Sequence, residues 1–446
     1  MLIRITNHIF PILAVLFLSA AFSCSRQSSQ APAAIEGSEV LYSAVIAPSQ
    51  DGTATDSVFV ICNSSLLMTG NGPFSVSAWV KGSTRSTVLP YALKRDLDLM
   101  DEGAAPILSG SIKIRTSEGR YTAVNIPLGS LEPGFYELAL GDSLRFNVGV
   151  NPEQIQSPVD APEDFDAFWE STLAELAEVP MNAVFVRKPE HSSKLRDCFE
   201  VFICSLGGAV MGGRIYIPVA EGRYPVRLEY MGYGAPMFWH DPDANPDLIE
   251  FLVSVRGQGI FREPEERWID RGLSSREDFY YRGAFCDVVR AVDFVASLPK
   301  ADTTRIVAVG ESQGGAFSWV SAALSPKVRA IAPAVPFLGD YEDYGRIVWW
   351  PVHEMYEQAD AEGIDRRDLH DMLRYFDIKN FTPRVSCPVI MAFGLQDPVC
   401  PPHTNFSGYN NCASAEKSWH CVPWCGHAMW NEPSWPEKRE AFLAQF

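Results

Sequence analysis

Between residues 40 and 150, apolar and polar positions alternate with a period of two, which is the pattern of half-buried β-strands. Alternating runs occupy residues 75–81, 111–115 and 135–140. The last run leads through Gly141 and Asp142 into a further run at 144–148, which predicts a β-hairpin. Several short strands separated by Gly-rich turns predict a small all-β, sandwich-like domain over residues 40–150.

After residue 151 the pattern changes to strand-like and helix-like stretches in alternation. Residues 161–169 open a helix that has Pro162 and acidic residues near its N-terminus. Apolar runs predict strands at 213–216, 225–230, 252–255, 306–309, 330–333 and 389–393, and helices at 281–296 and 315–324. This alternation predicts a mostly parallel sheet with helices on both faces, so we assign residues 151–446 to an α/β domain.

The first residues of the chain have the features of an export signal. A basic start precedes an apolar run, residues 9–22, that is too short to span a bilayer comfortably. Small residues and then Cys24 follow, as in a bacterial lipoprotein signal. We therefore predict a signal peptide over 1–23, lipidation of Cys24 and a tether over 24–39, which would anchor the exported protein in the cell envelope. The alternative is an ordinary signal peptide with an incidental cysteine.

Charge and cysteine content narrow the range of partners. The chain has 37 Lys and Arg against 55 Asp and Glu, a formal net charge of −18, so the phosphates of nucleic acid would repel it. Its ten cysteines are scattered and lack the spacing of a small disulfide-stapled domain. Export would permit one or two disulfides, and Cys421 is placed to pair with Cys425 or Cys412.

The main candidate for chemistry is Gly-Glu-Ser-Gln-Gly at residues 310–314. It lies between an apolar β-branched run and a helix-like stretch, as in a nucleophile elbow, where a serine sits at a sharp and strained strand-to-helix turn. Gly310 and Gly314 would lack side chains because strand and helix approach closely there. We therefore predict that Ser312 is a nucleophile, which needs a base to remove its proton.

The acid partner is expected after a later strand, because the order along the chain in this fold is serine, acid, histidine. Asp397 follows the predicted strand at 389–393 and is the candidate acid. Asp340 and Asp343 follow an earlier strand and are weaker candidates.

Three histidines follow Asp397, and one of them is suitably placed to be the base. His427 lies in the loop between the last predicted strand and a C-terminal helix. His403 is too close to Asp397 in sequence to fold back over the serine, and His420 lies inside a predicted strand. We therefore predict His427 as the general base.

A metal site is the rival interpretation of the C-terminal region, where four ligand-type residues lie close together in sequence: His420, Cys421, Cys425 and His427. Zinc ligands usually come as spaced pairs that close a tetrahedron. Here one strand and its exit loop would have to supply all four, so most side chains would point the wrong way. We therefore predict neither a metal nor a cofactor.

From Glu163 to the C-terminus the chain resembles the acetyl xylan esterase/cephalosporin C deacetylase family of carbohydrate esterases. The resemblance rests on blocks in family order, at residues 162–169, 229–234, 255–259, 280–287, 310–315 and 394–410. It implies an α/β-hydrolase fold. It also implies that the backbone N–H groups of Tyr233 and Gln313 form an oxyanion hole, and that Arg256 and Gln258 support the site.

Two features depart from that family. Ala428 follows the predicted base where the family usually has glutamate, and we expect the chemistry to survive with altered local packing. The β-domain is additional to the compact members, which tend to form hexamers, so the family's assembly does not transfer directly and homo-oligomerisation is left open.

The function expected from these features is removal of acetyl groups from acetylated xylan, xylo-oligosaccharides or related sugars by a serine esterase. One alternative keeps the fold and makes the chain a secreted peptidase or an esterase for other acyl groups. Another is a non-enzymatic lipoprotein that binds glycans through the β-domain, for example by Trp79 or Tyr121, although core packing is the favoured role of both aromatics.

Overall fold

The computed structural model describes residues 40–48, 55–61, 66–81, 86–115, 121–142, 144–262 and 267–446. The predicted signal peptide, the lipidation site Cys24 and the tether lie outside these residues. Within the described ranges, no helix combines the length and the apolar character needed to cross a bilayer.

The described residues between 40 and 150 form two β-sheets, as the alternating pattern predicts. Their strands are β1 (Val40–Pro48), β2 (Thr55–Ile61), β3 (Leu67–Met68), β4 (Phe74–Lys81), β5 (Ser86–Arg95), β6 (Leu108–Arg115), β7 (Tyr121–Gly129), β8 (Gly134–Leu140) and β9 (Leu144–Val150). One sheet has the order β1-β2-β4-β7 and the other the order β3-β9-β8-β5-β6. In β4, Val76, Ala78 and Val80 are buried while Ser75 and Ser77 are exposed, so one face of the sheet joins the core.

The remaining strands form one nine-stranded sheet within the described residues. They are β10 (Val184–Arg187), β11 (Arg196–Cys204), β12 (Val210–Pro218), β13 (Tyr224–Tyr230), β14 (Ile249–Ser254), β15 (Ala301–Glu311), β16 (Val328–Ala334), β17 (Val389–Gly394) and β18 (Lys417–Val422). The order is β10-β11-β12-β14-β13-β15-β16-β17-β18. Pairing is antiparallel from β10 to β14 and parallel from β14 to β18, so the sheet is mostly parallel, as predicted.

Helices flank this sheet: α1 (Phe165–Ala177), α2 (Tyr280–Ala296), α3 (Gln313–Leu324), α4 (Tyr341–Ile347), α5 (Val352–Glu362), α6 (Arg366–Leu373), α7 (Ile378–Phe381), α8 (Pro402–Asn411) and α9 (Ser434–Leu443). Every residue of β14 and β17 is buried, as expected of strands covered on both faces. In open α/β sheets, binding sites lie outside the carboxyl ends of the strands. A binding site is therefore expected among the loops after β13, β15, β17 and β18.

The oxidation state of the cysteines and the position of Trp79 differ from what the sequence suggested. The described cysteines are all free thiols, so Cys421 pairs with neither Cys425 nor Cys412. Burial raises the pKa of Cys421 to about 12, which keeps this thiol neutral. The role of core aromatic is wrong for Trp79, because this half-buried side chain alternates with the buried positions of β4 and thus lies on the opposite face of the sheet. The side chain of Tyr121 lies outside the described residues.

Candidate active site

The turn between β15 and α3 has the geometry of a nucleophile elbow. Ser312 has φ 59° and ψ −121°, a conformation that L-residues rarely adopt. A Cβ on Gly310 would lie 2.4 Å from the backbone of Gly314, and one on Gly314 would lie 2.0 Å from the carbonyl oxygen of Tyr230. Both positions therefore require glycine, as the motif predicts. The Ser312 N–H donates to Ala334 O at 3.0 Å, which fixes the turn against β16.

The predicted acid and base are hydrogen-bonded to each other across 30 residues of chain. His427 Nδ1 lies 2.9 Å from Asp397 Oδ2, and Asp397 is only 2% exposed. The other carboxylate oxygen accepts the backbone N–H groups of Val399 at 2.8 Å and Cys400 at 2.9 Å. Because the Asp397 carboxylate can only accept when ionised, it favours the tautomer with the proton on Nδ1, which leaves Nε2 of His427 able to take a proton.

The surroundings of His427 shift its affinity for protons. Burial disfavours the charged imidazolium, but the charge and hydrogen bond of Asp397 act in the opposite direction and hold the pKa of His427 well above its usual value. The imidazolium that would form when His427 accepts a proton is therefore stabilised at this position.

Cys400 is a member of the site that the sequence did not indicate. Its Sγ lies 3.9 Å from Ser312 Oγ and within 4.8 Å of a ring nitrogen of His427. Burial raises the pKa of this thiol, so Cys400 is a neutral neighbour of His427. Among the described residues, Ser312 Oγ and the His427 ring share no hydrogen bond; the thiol lies beside both.

Two backbone N–H groups near Ser312 have the availability that an oxyanion hole needs. Gln313 begins α3, directly after the serine, and Tyr233 lies in the loop after β13. In the described part of the chain, neither N–H donates a hydrogen bond to another protein atom. The Tyr233 phenol is held by the backbone N–H groups of Trp268 at 3.1 Å and Ile269 at 3.3 Å, which fixes the position of its loop.

Gln258 connects the two halves of this region. Its Oε1 accepts the Gly234 N–H at 2.9 Å, next to Tyr233 in the chain. Its amide forms a reciprocal pair with the Gln313 side chain, with distances of 3.1 Å and 3.0 Å. Since Gln258 is buried and links the loop of Tyr233 to the start of α3, it acts as a brace between the two predicted oxyanion donors.

Arg256 holds the loop that carries Gln258. Its Nε and Nη2 donate to the two oxygens of Asp287 at 2.9 Å and 2.7 Å, and its backbone N–H donates to the same carboxylate at 2.8 Å. Its carbonyl accepts the Tyr280 hydroxyl at 2.7 Å, and that hydroxyl accepts from Gln258 Nε2 at 2.9 Å. Arg256 thus reaches the site through Tyr280 and Gln258 rather than by direct contact.

Glu311 is the other site residue that sequence reasoning missed. It immediately precedes Ser312, and its Oε2 is buried without a hydrogen-bond partner among the described residues. Burial raises the pKa of Glu311 to about 7. The sequence signal for Glu311 was a glutamate between an apolar strand and the candidate nucleophile Ser312, since such a carboxyl group must find a polar partner or remain neutral.

The weaker candidates lie in other contacts. Asp340 accepts from Ser157 and from Lys379, and Asp343 pairs with Arg346. His403 is hydrogen-bonded to Asp96 at 3.0 Å, and His420 lies 3.1 Å from Ser434 Oγ in α9. The four residues of the rival zinc interpretation, His420, Cys421, Cys425 and His427, do not converge as one group of ligand atoms in the described part of the chain.

With this geometry in place, comparison with known proteins decides the family. The acetyl xylan esterase (AXE1) family profile matches residues 153–443, well over half of the chain. The chain belongs to the acetyl xylan esterase family. A similar protein, acetyl esterase Axe7A of Xylanibacter ruminicola, is 28% identical over 335 residues, which cover 68% of this chain and 74% of that protein.

Solved structures of acetyl xylan esterases have the same fold. The crystal structure of acetyl xylan esterase 1 from Thermoanaerobacterium sp. JW/SL YS485 matches with a TM-score of 0.60 and 25% identity, over 66% of this chain and 97% of that one. The enzyme from Paenibacillus sp. R4 matches with a TM-score of 0.62 and 26% identity, over 66% and 98%. The chain is therefore a carboxylic ester hydrolase of α/β-hydrolase fold that acts on acetylated substrates.

Proposed function

We propose that this acetyl xylan esterase family member removes acetyl groups from acetylated xylan, xylo-oligosaccharides or related sugars through an acetyl-enzyme on Ser312. The observation that carries the proposal is the 2.9 Å hydrogen bond between His427 and Asp397 at the same sheet edge as a serine held at positive φ. These are the parts that a serine hydrolase needs: a strained nucleophile, a base, and an acid that orients the base.

In the first step His427 takes the proton of Ser312 while Oγ attacks the acetyl carbonyl. Asp397 holds the imidazole and stabilises the imidazolium. The N–H groups of Tyr233 and Gln313 donate to the tetrahedral oxyanion, and each such donor is worth roughly 3–4 kcal/mol in similar enzymes. His427 then gives its proton to the sugar oxygen, which leaves. In the second step water, deprotonated by His427, attacks the acetyl-enzyme and releases acetate.

The contact between Ser312 and His427 has to form for this chemistry. For this transfer the Ser312 side chain has to turn about Cα–Cβ, because its Oγ lies 3.9 Å from Cys400 Sγ and makes no hydrogen bond to the His427 ring among the described residues. In enzymes without substrate, hydrogen bonds between nucleophile and base are often long and shorten when substrate binds.

Acetate release tests the proposal. We expect release from acetylated xylan and xylo-oligosaccharides by the intact chain and none above background by Ser312→Ala. A second arm offers longer-chain esters and peptide amide reporters. Turnover of amides with no release from acetylated sugars would replace the proposed function by the peptidase alternative, and preference for long acyl chains would replace it by the other esterase alternative.

We further propose that the chain is exported and carried on a lipid anchor at Cys24. The support is the apolar run followed by small residues and this cysteine. In a bacterial host, radiolabelled fatty acid should label the intact chain and not Cys24→Ala. Equal labelling of both would contradict lipidation at this position.

A further inference from the structure

The two sheets formed by strands β1 to β9 are called the β-region below. The β-region is in direct contact with the loop that carries Asp397. The N–H of Asn147, in β9, donates to Gln396 Oε1 at 2.7 Å, and its carbonyl accepts from Gln396 Nε2 at 3.1 Å. The Asn147 side chain adds a third bond, from Nδ2 to Leu395 O at 3.0 Å. These three bonds hold the two residues that come immediately before Asp397.

Gln396 also reaches the turn that carries His427. Its Nε2 donates to Pro423 O at 2.9 Å, and its backbone N–H donates to Cys425 O at 2.9 Å. Gln396 therefore links β9 to the turn that contains Asp397 and to the turn that precedes His427. In the described structure Gln396 Oε1 accepts only from Asn147, so without β9 this half-buried acceptor would lose its partner.

The two turns leave no free space between them. A Cβ on Gly394 would lie 2.2 Å from Gly426 O, so the turn before Asp397 and the turn before His427 touch through their backbones. A displacement of Gln396 is therefore transmitted to both partners of the Asp397–His427 hydrogen bond. Because reactivity falls steeply with small errors in position, such a displacement would lower the rate of the chemical step.

The β-region also packs against the nine-stranded sheet and against helix α8. The ring of Phe135, in β8 beside β9, lies with its centroid 6.4 Å from Phe393 at the end of β17 and 5.9 Å from Phe406 in α8. Asp96, after β5, is hydrogen-bonded to His403 at 3.0 Å. These contacts are independent of Asn147, and they keep β9 at a constant position against the loop of the acid.

We propose that the β-region is part of the catalytic apparatus, and that Asn147 with Gln396 is a positioning pair that holds Asp397 and His427 in register. This inference rests on the proposed function, in which Asp397 orients His427. It assigns to the β-region a mechanical role at the active site, which compact relatives without such a region would have to fill by other contacts.

The test compares Asn147→Ala and Gln396→Ala with Asn125→Ala, a control of the same residue type on an exposed position of β7. We expect kcat for p-nitrophenyl acetate to fall roughly 10-fold to 100-fold in Gln396→Ala, less in Asn147→Ala, and not in the control, with KM unchanged in all three. Asp397→Asn is measured alongside them.

The pH profile separates positioning from a loss of folded protein. If the Asp397–His427 bond is loosened, the pKa of His427 falls, so the acidic limb of kcat/KM moves to lower pH in both pair variants and stays in place in the control. The position of this limb does not depend on how much of the sample is folded.

Normal kcat and an unmoved limb in both pair variants, with Asp397→Asn inactive, would overturn the positioning role alone. Full activity of Asp397→Asn would overturn the proposed function, and this inference with it.

Discussion

At the scale of single residues, Glu311 lies in an unfavourable position for a carboxylate, directly before Ser312. Its Oε2 has no partner among the described residues, and Arg439 and His427 are the cations that act on it while Glu229 opposes them. A carboxylate in such a place is costly to ionise. The folded chain therefore holds the proton on Glu311 to a higher pH than the unfolded chain does.

Glu311→Gln should change the pH dependence of stability. The pKa of Glu311 is about 7 in the folded chain against an ordinary 4.5, so the intact chain loses stability as pH rises from about 4.5 to about 7. The neutral amide avoids this loss, and the variant should exceed the intact chain by about 1–3 kcal/mol above pH 7. Urea unfolding at pH 5 and pH 8 checks this; a difference that is the same at both values would show that Glu311 does not titrate in between.

Asp397→Asn should affect both rate and pH dependence. In the intact chain His427 must be neutral to act as a base, and its pKa lies above the usual 6.5, so kcat/KM should fall as pH decreases through that raised value. The amide removes the charge that raises the pKa and favours the wrong tautomer, so kcat should fall about 10⁴-fold and the acidic limb should move to lower pH. A rate profile between pH 5 and pH 9 shows both effects, and an unchanged limb would remove Asp397 from its proposed role.

At the scale of helices and loops, α2 is shaped to receive the guanidinium of Arg256. A Cβ on Gly283 would lie 2.2 Å from Arg256 Nη1 and 2.5 Å from its Cζ, so only glycine leaves room for the ion pair with Asp287. The hydrogen bonds from Arg256 through Tyr280 to Gln258 then extend this constraint to the region of Tyr233 and Gln313.

Gly283→Ala should therefore displace Arg256 and the loop that carries Gln258. We expect a loss of about 1–3 kcal/mol of stability from overpacking and a fall in kcat of roughly 10-fold or more. The matched control is Gly408→Ala in α8, where the new Cβ meets Thr382 at 3.4 Å and a helical alanine should add up to about 1 kcal/mol. Thermal unfolding and kcat of both variants test this; equal behaviour would show that α2 does not constrain the site.

Strands of the nine-stranded sheet could be predicted where burial determines their pattern of apolar residues. β17 is a continuous apolar run because both of its faces are covered, and β15 ends in the motif itself. β10 was not predicted because all its residues are exposed at the sheet edge, where no burial pattern arises. In β11 the buried Arg196 is neutralised by Glu250, a partner 54 residues away that the local pattern does not contain.

Some residues of the candidate site could be predicted from their order along the chain, and others could not. Ser312, Asp397 and His427 each follow a strand, and strand ends meet at one edge of a parallel sheet, so their approach could be inferred from order alone. Cys400 and Gln396 take their places from the way two loops fold against each other, which spacing along the chain does not encode. The roles of the three predicted residues stay predictions until variants are measured.

At the scale of the whole molecule, a buried ion pair joins the β-region to helix α8. His403, in α8, lies between Asp96 at 3.0 Å and Asp343 at 3.5 Å. Burial disfavours its charge, but the two carboxylates outweigh burial and raise the pKa of His403 to about 10. The predicted boundary at residues 150 and 151 thus separates two regions that share buried charges.

Asp96→Asn should weaken this connection in a pH-dependent way. Because the folded pKa of His403 is raised, its contribution to stability is complete below about pH 6.5 and is lost as pH rises through about 10. The variant should lose about 3 kcal/mol or more at pH 7 and should vary less in stability between pH 7 and pH 10. Unfolding in urea across this range measures both; a variant as stable as the intact chain at pH 7 would mean that the pair does not hold the regions together.

In the proposed mechanism, Ser312 and His427 act as one catalytic unit. The most direct measurement is kcat for p-nitrophenyl acetate in Ser312→Ala, in His427→Ala and in the variant that carries both changes. If the two residues take part in the same proton transfer, each single change should lower kcat by a factor on the order of 10⁶. The double change should then lower kcat no further. Near-normal turnover by Ser312→Ala, or losses that add in the double variant, would contradict the account.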